Sequence, residues 1–331
     1  MNELDNSIII SAFNEEDFIE NSLSSLEKSI FDLDYIEVIL INNGSSDLTK
    51  SKIEYFLSKL NLERRNVYSF FSIKHLGLSE ARNFGIKKSK GKYLTFLDAD
   101  AIIDKDCIVE IKGAFKKFNP DFISGNVKLL YNNKIGSYFL YKMHYDVLVL
   151  NKKSRFIEGK ENTAIIGANM SFKKSVLTNG FFNEIKGRGD DTFLSYFLKI
   201  DKGFKEYYLE ESIVYNDNTS SLMVWFKQQF QGGKLNGLIF RNFKNHFVVK
   251  KLFYIILLFS TITLFFTHYI FAFLIGLRFI YRLNFLFKSF FNVAKSKVWL
   301  LAPITIVLNL TSIALNDLGV YYGLIISKKI K

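Results

Sequence analysis

Over its first 130 residues the chain alternates short apolar runs with segments of helical periodicity. The first run, SIIISAF at residues 7–13, precedes a helical pattern at residues 15–29 that Asn14 is expected to cap. Strands covered on both faces by crossover helices have continuous apolar sequences of this kind. The alternation therefore predicts an α/β domain with a mostly parallel sheet flanked by helices. Further predicted strands are residues 37–41, 67–73, 92–97 and 121–127, and further helices follow Asp47 and span 78–89.

Beyond residue 127 the pattern becomes less regular. Residues 165–172 and 206–215 are candidate strands, and residues 190–200 have helical spacing. We expect one domain over residues 1–245, with a first half at about 1–127 and a second half at about 128–245.

The C-terminal tail, residues 246–331, differs in composition from the rest of the chain. The net charge is +12, yet the tail alone holds ten basic residues against one acid, Asp317. Because this basic excess accompanies long apolar runs, it indicates contact with anionic lipid and not with nucleic acid. Residues 252–277 contain no charged residue, and about 298–326 is a second hydrophobic segment. Residues 278–297 resemble a basic amphipathic interfacial helix.

These hydrophobic segments predict membrane-associated helices, with the domain at residues 1–245 on the cytoplasmic side of the cell membrane. A tilted single pass and a helical hairpin both fit the first segment, and two buried helices of a soluble domain are the alternative. The single cysteine, Cys107, excludes an internal disulfide, and the four histidines show no zinc-binding spacing.

Three predicted strands end in polar residues: Asn14-Glu15, Asn42-Asn43-Gly44 and Asp98-Ala99-Asp100. In open α/β sheets ligands bind beyond the carboxyl ends of the strands, so these residues are expected to frame a nucleotide. The carboxylates of Asp98 and Asp100 are hard oxygen ligands that suit Mg²⁺ or Mn²⁺ bridging a diphosphate. Plain solvated turns are the alternative interpretation of these strand ends.

The sequence resembles family 2 glycosyltransferases of the GT-A fold over about residues 6–245. The resemblance lies in SIIISAFNEEDFIENSLSSL, EVILINNGSSDLT, GLSEARNFGIKKSKGKYLTFLDAD and IIGANMSFKKSVLTNGFFNE. It implies a nucleotide-diphospho-sugar transferase that inverts the anomeric centre. Residues 1–245 would then be its catalytic domain, with a nucleotide-binding half at about 1–127 and an acceptor half at about 128–245. By the same resemblance Ala12, Phe13 and Glu15 line the base and ribose pocket, Arg82 approaches the nucleotide, Asp98 holds the ribose or phosphate side, and Asp100 ligates the metal.

Two further motifs bear on this resemblance. Asn42 stands where the family usually has an acid, although its amide oxygen can still accept from a base N–H. In GRGDD, residues 187–191, Asp191 matches the family's catalytic base, and Asp190 would orient the acceptor or support its neighbour. The alternative is that these acids only begin a helix and complement its dipole.

The Q-x-x-R-W motif that processive synthases carry is not reproduced at residues 228–232. We therefore expect transfer of one sugar from a nucleoside-diphosphate sugar to a hydroxyl or phosphate, on a saccharide, lipid-linked saccharide or polyprenyl phosphate of cell-envelope glycan synthesis. The alternatives are a catalytically decayed membrane-anchored binding or scaffold protein and a nucleotidyltransferase. The latter normally has a Gly-rich phosphate loop after its first strand, and residues 11–16 offer none.

Overall fold

The computed structural model describes residues 4–31, 34–130, 153–157, 167–178, 180, 189–216 and 222–243, with isolated positions between 289 and 318. The chain divides into two compact units, Met1–Leu130 with Lys152–Asp217 and Tyr131–Asn151 with Asn218–Lys331. Every candidate site residue lies in the first unit. The predicted domain boundary at residue 245 stays a prediction.

The first unit is built on one mixed sheet, in the order β3-β2-β1-β4-β8-β6-β9-β5, with β7 paired to β9. The strands are β1 (Asn6–Ala12), β2 (Ile36–Asn43), β3 (Tyr68–Ile73), β4 (Tyr93–Asp98), β5 (Ile102–Ile103), β6 (Phe122–Leu129), β7 (Arg155–Ile157), β8 (Asn169–Lys173) and β9 (Glu206–Asn216).

The sheet is mixed, so the expectation of a mostly parallel sheet holds for its first half and, beyond that, only for the pair β6 and β9. The neighbours from β3 to β4 are all parallel. β8 runs antiparallel to both of its neighbours, and β5 and β7 run antiparallel to β9. β5 and β7 have two and three residues, too few to show an apolar pattern, so the sequence did not reveal them.

Helices cover both faces of this sheet. Alternate residues of one strand face opposite sides, so Ile8 and Ile10 belong to one apolar cluster and Ile9 to the other. The first cluster includes residues of α1, α2 and α5, and the second includes residues of α4 and α6. The described helices are α1 (Ile19–Ile30), α2 (Thr49–Ser58), α3 (Leu62–Arg65), α4 (Leu78–Lys88), α5 (Cys107–Phe118), α6 (Asp190–Tyr196) and α7 (Leu222–Phe243).

Helix α1 begins at Ile19, four residues later than predicted, and Asn14 does not cap it. The reason lies in the turn after β2. The Asn14 backbone N–H donates to Ser45 Oγ (3.1 Å), and the Glu15 N–H donates to Thr49 Oγ1 (2.7 Å). Asn14 itself adopts a positive φ of 57°, and its side chain accepts from the Ser46 N–H. These bonds hold the segment after β1 in an irregular path along the sheet edge.

The second unit includes α7, a helix of 22 residues. No helix within the described residues has the length and apolar character needed to cross a bilayer. The hydrophobic segments predicted at 252–277 and 298–326, and the basic stretch at 278–297, lie outside the described residues apart from isolated positions. The membrane prediction therefore stays a prediction.

Candidate functional site

The candidate site lies at the carboxyl edge of β1, β2 and β4. Parallel register aligns Ala12 with Asn42 and Ser11 with Asp98, so the three strands end at the same level. Ala12 is buried, and Phe13, the next residue, is 41% exposed beyond the sheet. The sequence-based expectation that these strand ends share one edge is confirmed.

Three carboxylates gather at this edge: Glu15, Asp98 and Asp100. Burial, reinforced by the negative charges of Asp100 and Asp98, raises the pKa of Glu15 from 4.5 to about 7. Asp100 is partly buried, and its Oδ1 accepts a hydrogen bond from Asn216 Nδ2 at the end of β9 (3.0 Å). The edge therefore concentrates negative charge in a partly desolvated place.

This carboxylate edge fits a divalent cation in its chemistry. Its donors are hard oxygens, and a cation would relieve the repulsion from Asp100 and Asp98 that adds to burial in raising the pKa of Glu15. The described residues contain no group of three or more His, Cys, Asp or Glu side chains arranged to hold a metal. A cation at Asp100 would take its remaining ligands from phosphate oxygens and water, the usual mode of Mg²⁺.

Arg82, on α4, connects the carboxylate edge to the start of α6. Its Nη1 donates to Asp190 Oδ2 (2.9 Å) and its Nη2 to Asp98 Oδ1 (3.2 Å), and its side chain is only 5% exposed. Burial alone would lower the pKa of Arg82, but Asp190, Asp98 and Asp191 together raise it above its ordinary value. That Arg82 also approaches the nucleotide stays a prediction; what the structure describes is a buried bridge between two acids.

Asp190 and Asp191 begin α6 in different surroundings. Asp190 is buried, and its Oδ2 also accepts from Ser79 Oγ (3.2 Å). Asp191 is half-buried, and its Oδ2 accepts from the Gly167 backbone N–H (2.6 Å) while its Oδ1 accepts from the Thr192 N–H (2.5 Å). Burial and the neighbouring Asp190 charge raise the pKa of Asp191. A fixed, partly desolvated carboxylate of this kind suits general-base chemistry.

Gly167 joins these groups and was not predicted as a site residue. Its N–H donates to Asp191, and its carbonyl accepts from Arg82 Nη2 (3.4 Å). A Cβ at this position would lie 2.8 Å from Arg82 Nη2 and 3.0 Å from Asp191 Oδ2. The only sequence signal was its place within IIGANMSF, because peptide-mediated contacts leave no side-chain pattern.

Asn42, predicted to contact the base, is buried and engaged locally. Its Nδ2 donates to Ser72 Oγ (2.9 Å) and its Oδ1 accepts from the Ser45 N–H (3.2 Å). These bonds support the turn interpretation of the strand end, and a contact of Asn42 with the base stays a prediction.

Comparison with known proteins identifies the family. The model described as "Glycosyl transferase family 2" matches residues 7–181, which is more than half of the chain. The poly-beta-1,6-N-acetyl-D-glucosamine synthase of Staphylococcus epidermidis is 31% identical over 176 residues, covering 52% of this chain and 40% of that protein. Glycosyltransferase GlyA of Streptococcus pneumoniae is 24% identical over 215 residues, covering 63% of this chain and 29% of that protein. The chain thus spans less than half the length of these curated relatives.

Solved structures show the same architecture. The mannosyltransferase PcManGT from Pyrobaculum calidifontis, in complex with GDP-Man and Mn²⁺, superposes with a TM-score of 0.58 at 13% identity, covering 99% of this chain and 89% of that chain. S. aureus TarS residues 1–349 in complex with UDP-GlcNAc gives a TM-score of 0.53 at 15% identity, covering 96% and 91%. At these identities the likeness shows the fold, which is GT-A-like. The family match and this fold agree, and the chain therefore belongs to glycosyl transferase family 2.

Proposed function

We propose that this protein is an inverting glycosyltransferase that moves one sugar from a nucleoside-diphosphate sugar to an acceptor hydroxyl or phosphate. The observation that carries the proposal is the Arg82 bridge. It ties Asp98, at the nucleotide edge, to Asp190, which is adjacent to the candidate base Asp191. The proposed donor site and the proposed base therefore adjoin one hydrogen-bonded assembly.

The mechanism for a hydroxyl acceptor follows from this arrangement. Asp191 takes the acceptor proton as the acceptor oxygen bonds to the anomeric carbon and the bond from that carbon to the diphosphate breaks. The raised pKa of Asp191 makes it a stronger base, and the N–H groups of Gly167 and Thr192 hold its orientation. A Mg²⁺ or Mn²⁺ held by Asp100 would supply positive charge to the leaving diphosphate. A phosphate acceptor is already ionised and would depend less on Asp191.

The proposed donor and acceptor classes follow from the family. PcManGT and TarS were solved with GDP-Man and UDP-GlcNAc, which supports a nucleotide-sugar donor. Related proteins are named for synthesis of poly-beta-1,6-N-acetyl-D-glucosamine and for transfer to poly(ribitol-phosphate), which supports a cell-envelope acceptor. The apolar, basic tail supports an acceptor at the cytoplasmic face of the cell membrane, such as a lipid-linked saccharide or polyprenyl phosphate.

The test measures donor binding and transfer separately. Thermal shift with Mn²⁺ and a panel of UDP- and GDP-sugars is expected to reveal one stabilising nucleotide class, and Asp100→Ala is expected to remove the stabilisation. Asp191→Asn should keep donor binding but lose transfer to a hydroxyl acceptor by about 10²-fold or more. Asp201→Asn, an exposed acid in the same unit, is the matched control and should change neither.

The product distinguishes the alternatives. Release of a nucleoside diphosphate supports the proposal, whereas release of pyrophosphate would indicate a nucleotidyltransferase. Donor binding without turnover on any acceptor would indicate a binding or scaffold protein.

A further inference from the structure

An aromatic pair, Phe13 and His75, lies at the carboxyl edge of the sheet, on the side of the candidate site nearest β3. The rings of Phe13 and His75 have centroids 4.0 Å apart and planes inclined by 33°. Phe13 follows β1 and His75 follows β3, and both are exposed. β4, which leads into Asp98 and Asp100, lies three strand positions from β3, about 14 Å. A nucleotide with its diphosphate at these acids can therefore extend its base toward the pair.

The turn after β2 holds His75 in place. Asn43 Oδ1 accepts from the Leu76 N–H (3.0 Å), and Asn43 Nδ2 donates to the Gly77 carbonyl (3.2 Å). Gly44, at φ +74°, packs so closely that a Cβ there would lie 2.5 Å from the backbone nitrogen of His75. The segment that carries the imidazole is thus preorganised by three separate contacts.

The same turn fixes the tautomer of the ring. His75 Nδ1 lies 3.1 Å from the Asn43 carbonyl oxygen. Because a carbonyl oxygen only accepts hydrogen bonds, Nδ1 carries the proton, and Nε2 of the neutral ring bears a lone pair. The exposed ring thereby offers a hydrogen-bond acceptor beside an aromatic surface.

The other candidate for reading the base is already engaged. Asn42 is buried, its Nδ2 donates to Ser72 Oγ, and its Oδ1 accepts from the Ser45 N–H. The exposed His75 is therefore better placed than the buried Asn42 to accept a hydrogen bond from a base N–H.

We infer that His75 selects the donor nucleobase by accepting a ring N–H at Nε2, with Phe13 supplying the apolar contact; this inference rests on the proposed function. Uracil and guanine carry such a ring N–H on their pairing edge. Cytosine and adenine present a ring nitrogen lone pair at the equivalent place, which would oppose the Nε2 lone pair. The site therefore takes uridine or guanosine diphosphates in preference to cytidine or adenosine diphosphates.

The experiment measures binding of UDP, GDP, CDP and ADP, each with MnCl₂, to the full chain by calorimetry. The wild type is expected to prefer UDP or GDP. His75→Phe keeps an aromatic ring against Phe13 but removes the acceptor. It should lower affinity for the preferred nucleotide by about tenfold and leave the disfavoured ones unchanged. Leu76→Ala, in the same loop, is the matched control and should keep the preference.

A methylated nucleotide tests the contact itself. N3-methyl-UDP or N1-methyl-GDP lacks the ring N–H, so the wild type should bind it about tenfold more weakly than the parent. His75→Phe should show no further loss, because the contact is already absent. A melting temperature like that of the wild type shows that His75→Phe is folded.

Several results would overturn the inference: an unchanged base preference in His75→Phe, equal binding of all four nucleotides by the wild type, or equal losses in His75→Phe and Leu76→Ala. In those cases the enzyme still binds nucleotides and the proposed function stands. Failure of the wild type to bind any nucleoside diphosphate or to transfer any sugar would overturn both.

Discussion

Gly167 shows how much a single peptide can determine in this site. Its N–H fixes one oxygen of Asp191, and its carbonyl accepts from Arg82. We expect Gly167→Ala to displace one or both groups, since the new Cβ would lie 2.8 Å from Arg82 Nη2. Transfer should fall by about 10²-fold with donor affinity nearly unchanged, because misplacement affects chemistry more than ground-state binding.

Steady-state kinetics with separate donor titrations checks this expectation. The control is Gly113→Ala in α5, where a Cβ meets nothing within 4 Å. A kcat of Gly167→Ala equal to that of the control would show that the peptide contact does not position the base.

Glu15 gives the site a pH-dependent effect on stability. Burial, with Asp100 and Asp98 nearby, raises its pKa from 4.5 to about 7, so the folded state binds this proton more tightly than the unfolded state. The protonated Glu15 carboxyl therefore stabilises the fold. This stabilisation is complete below about pH 4.5 and is lost as pH rises through about 7. In metal-free protein, Glu15→Gln should therefore show a smaller fall in melting temperature between pH 5 and pH 8 than the wild type.

Differential scanning calorimetry across this pH range provides the measurement. Parallel curves for the two proteins would mean that Glu15 ionises freely in the folded state.

At the scale of the elements, the turn after β2 connects β1, β2 and the segment before α4. Gly44 makes the connection possible through its φ of +74° and its close approach to the His75 backbone. We expect Gly44→Ala to lower the free energy of unfolding by about 1–2 kcal/mol, from backbone strain alone. Gly113→Ala should instead raise it by about 0.5–1 kcal/mol, because it replaces a glycine inside a helix.

Chemical denaturation of both variants tests the contrast. Equal stabilities for Gly44→Ala and the wild type would show that the turn relaxes without cost.

Most elements could be predicted from the sequence, because apolar runs and helical spacing depend on local periodicity. β1, β2, β4 and β9 lie within two residues of their predicted bounds. The predicted start of α1 was wrong. The hydroxyl oxygens of Ser45 and Thr49 accept hydrogen bonds from backbone N–H groups of the segment before the helix, and these bonds replace its first turn. Long-range side-chain contacts of this kind have no local signal.

The same limit applies to the site. Asp98, Asp100 and Asp191 were predicted as site residues from their motifs, and the strand pattern explains why the first two lie at a sheet edge. The buried bridge from Arg82 to Asp190 joins residues 108 positions apart, and no spacing rule anticipates it. Likewise the pairing of β8 with both β4 and β6 depends on the whole sheet, not on any one strand.

For the whole molecule, the charge distribution predicts where the protein resides. Its tail carries ten basic residues and one acid among long apolar runs. We expect the full chain to float with vesicles containing anionic phosphatidylglycerol, and a chain ending at residue 245 to stay in solution. High salt should weaken binding of the full chain only in part, because apolar burial is not screened.

Vesicles of neutral phosphatidylcholine separate the two contributions. Recovery of the full chain entirely in the soluble fraction with both lipids would contradict the membrane proposal.

The place of β8 in the sheet has a consequence for biosynthesis. β4 has β1 on one side and β8 on the other, yet β8 spans Asn169–Lys173, far downstream in the chain. Until that segment leaves the ribosome, the apolar run of β4 presents an open edge to other nascent chains. While translation proceeds from β4 to β8, the nascent polypeptide is therefore exposed to pairing with other chains along this edge, which a chaperone would prevent.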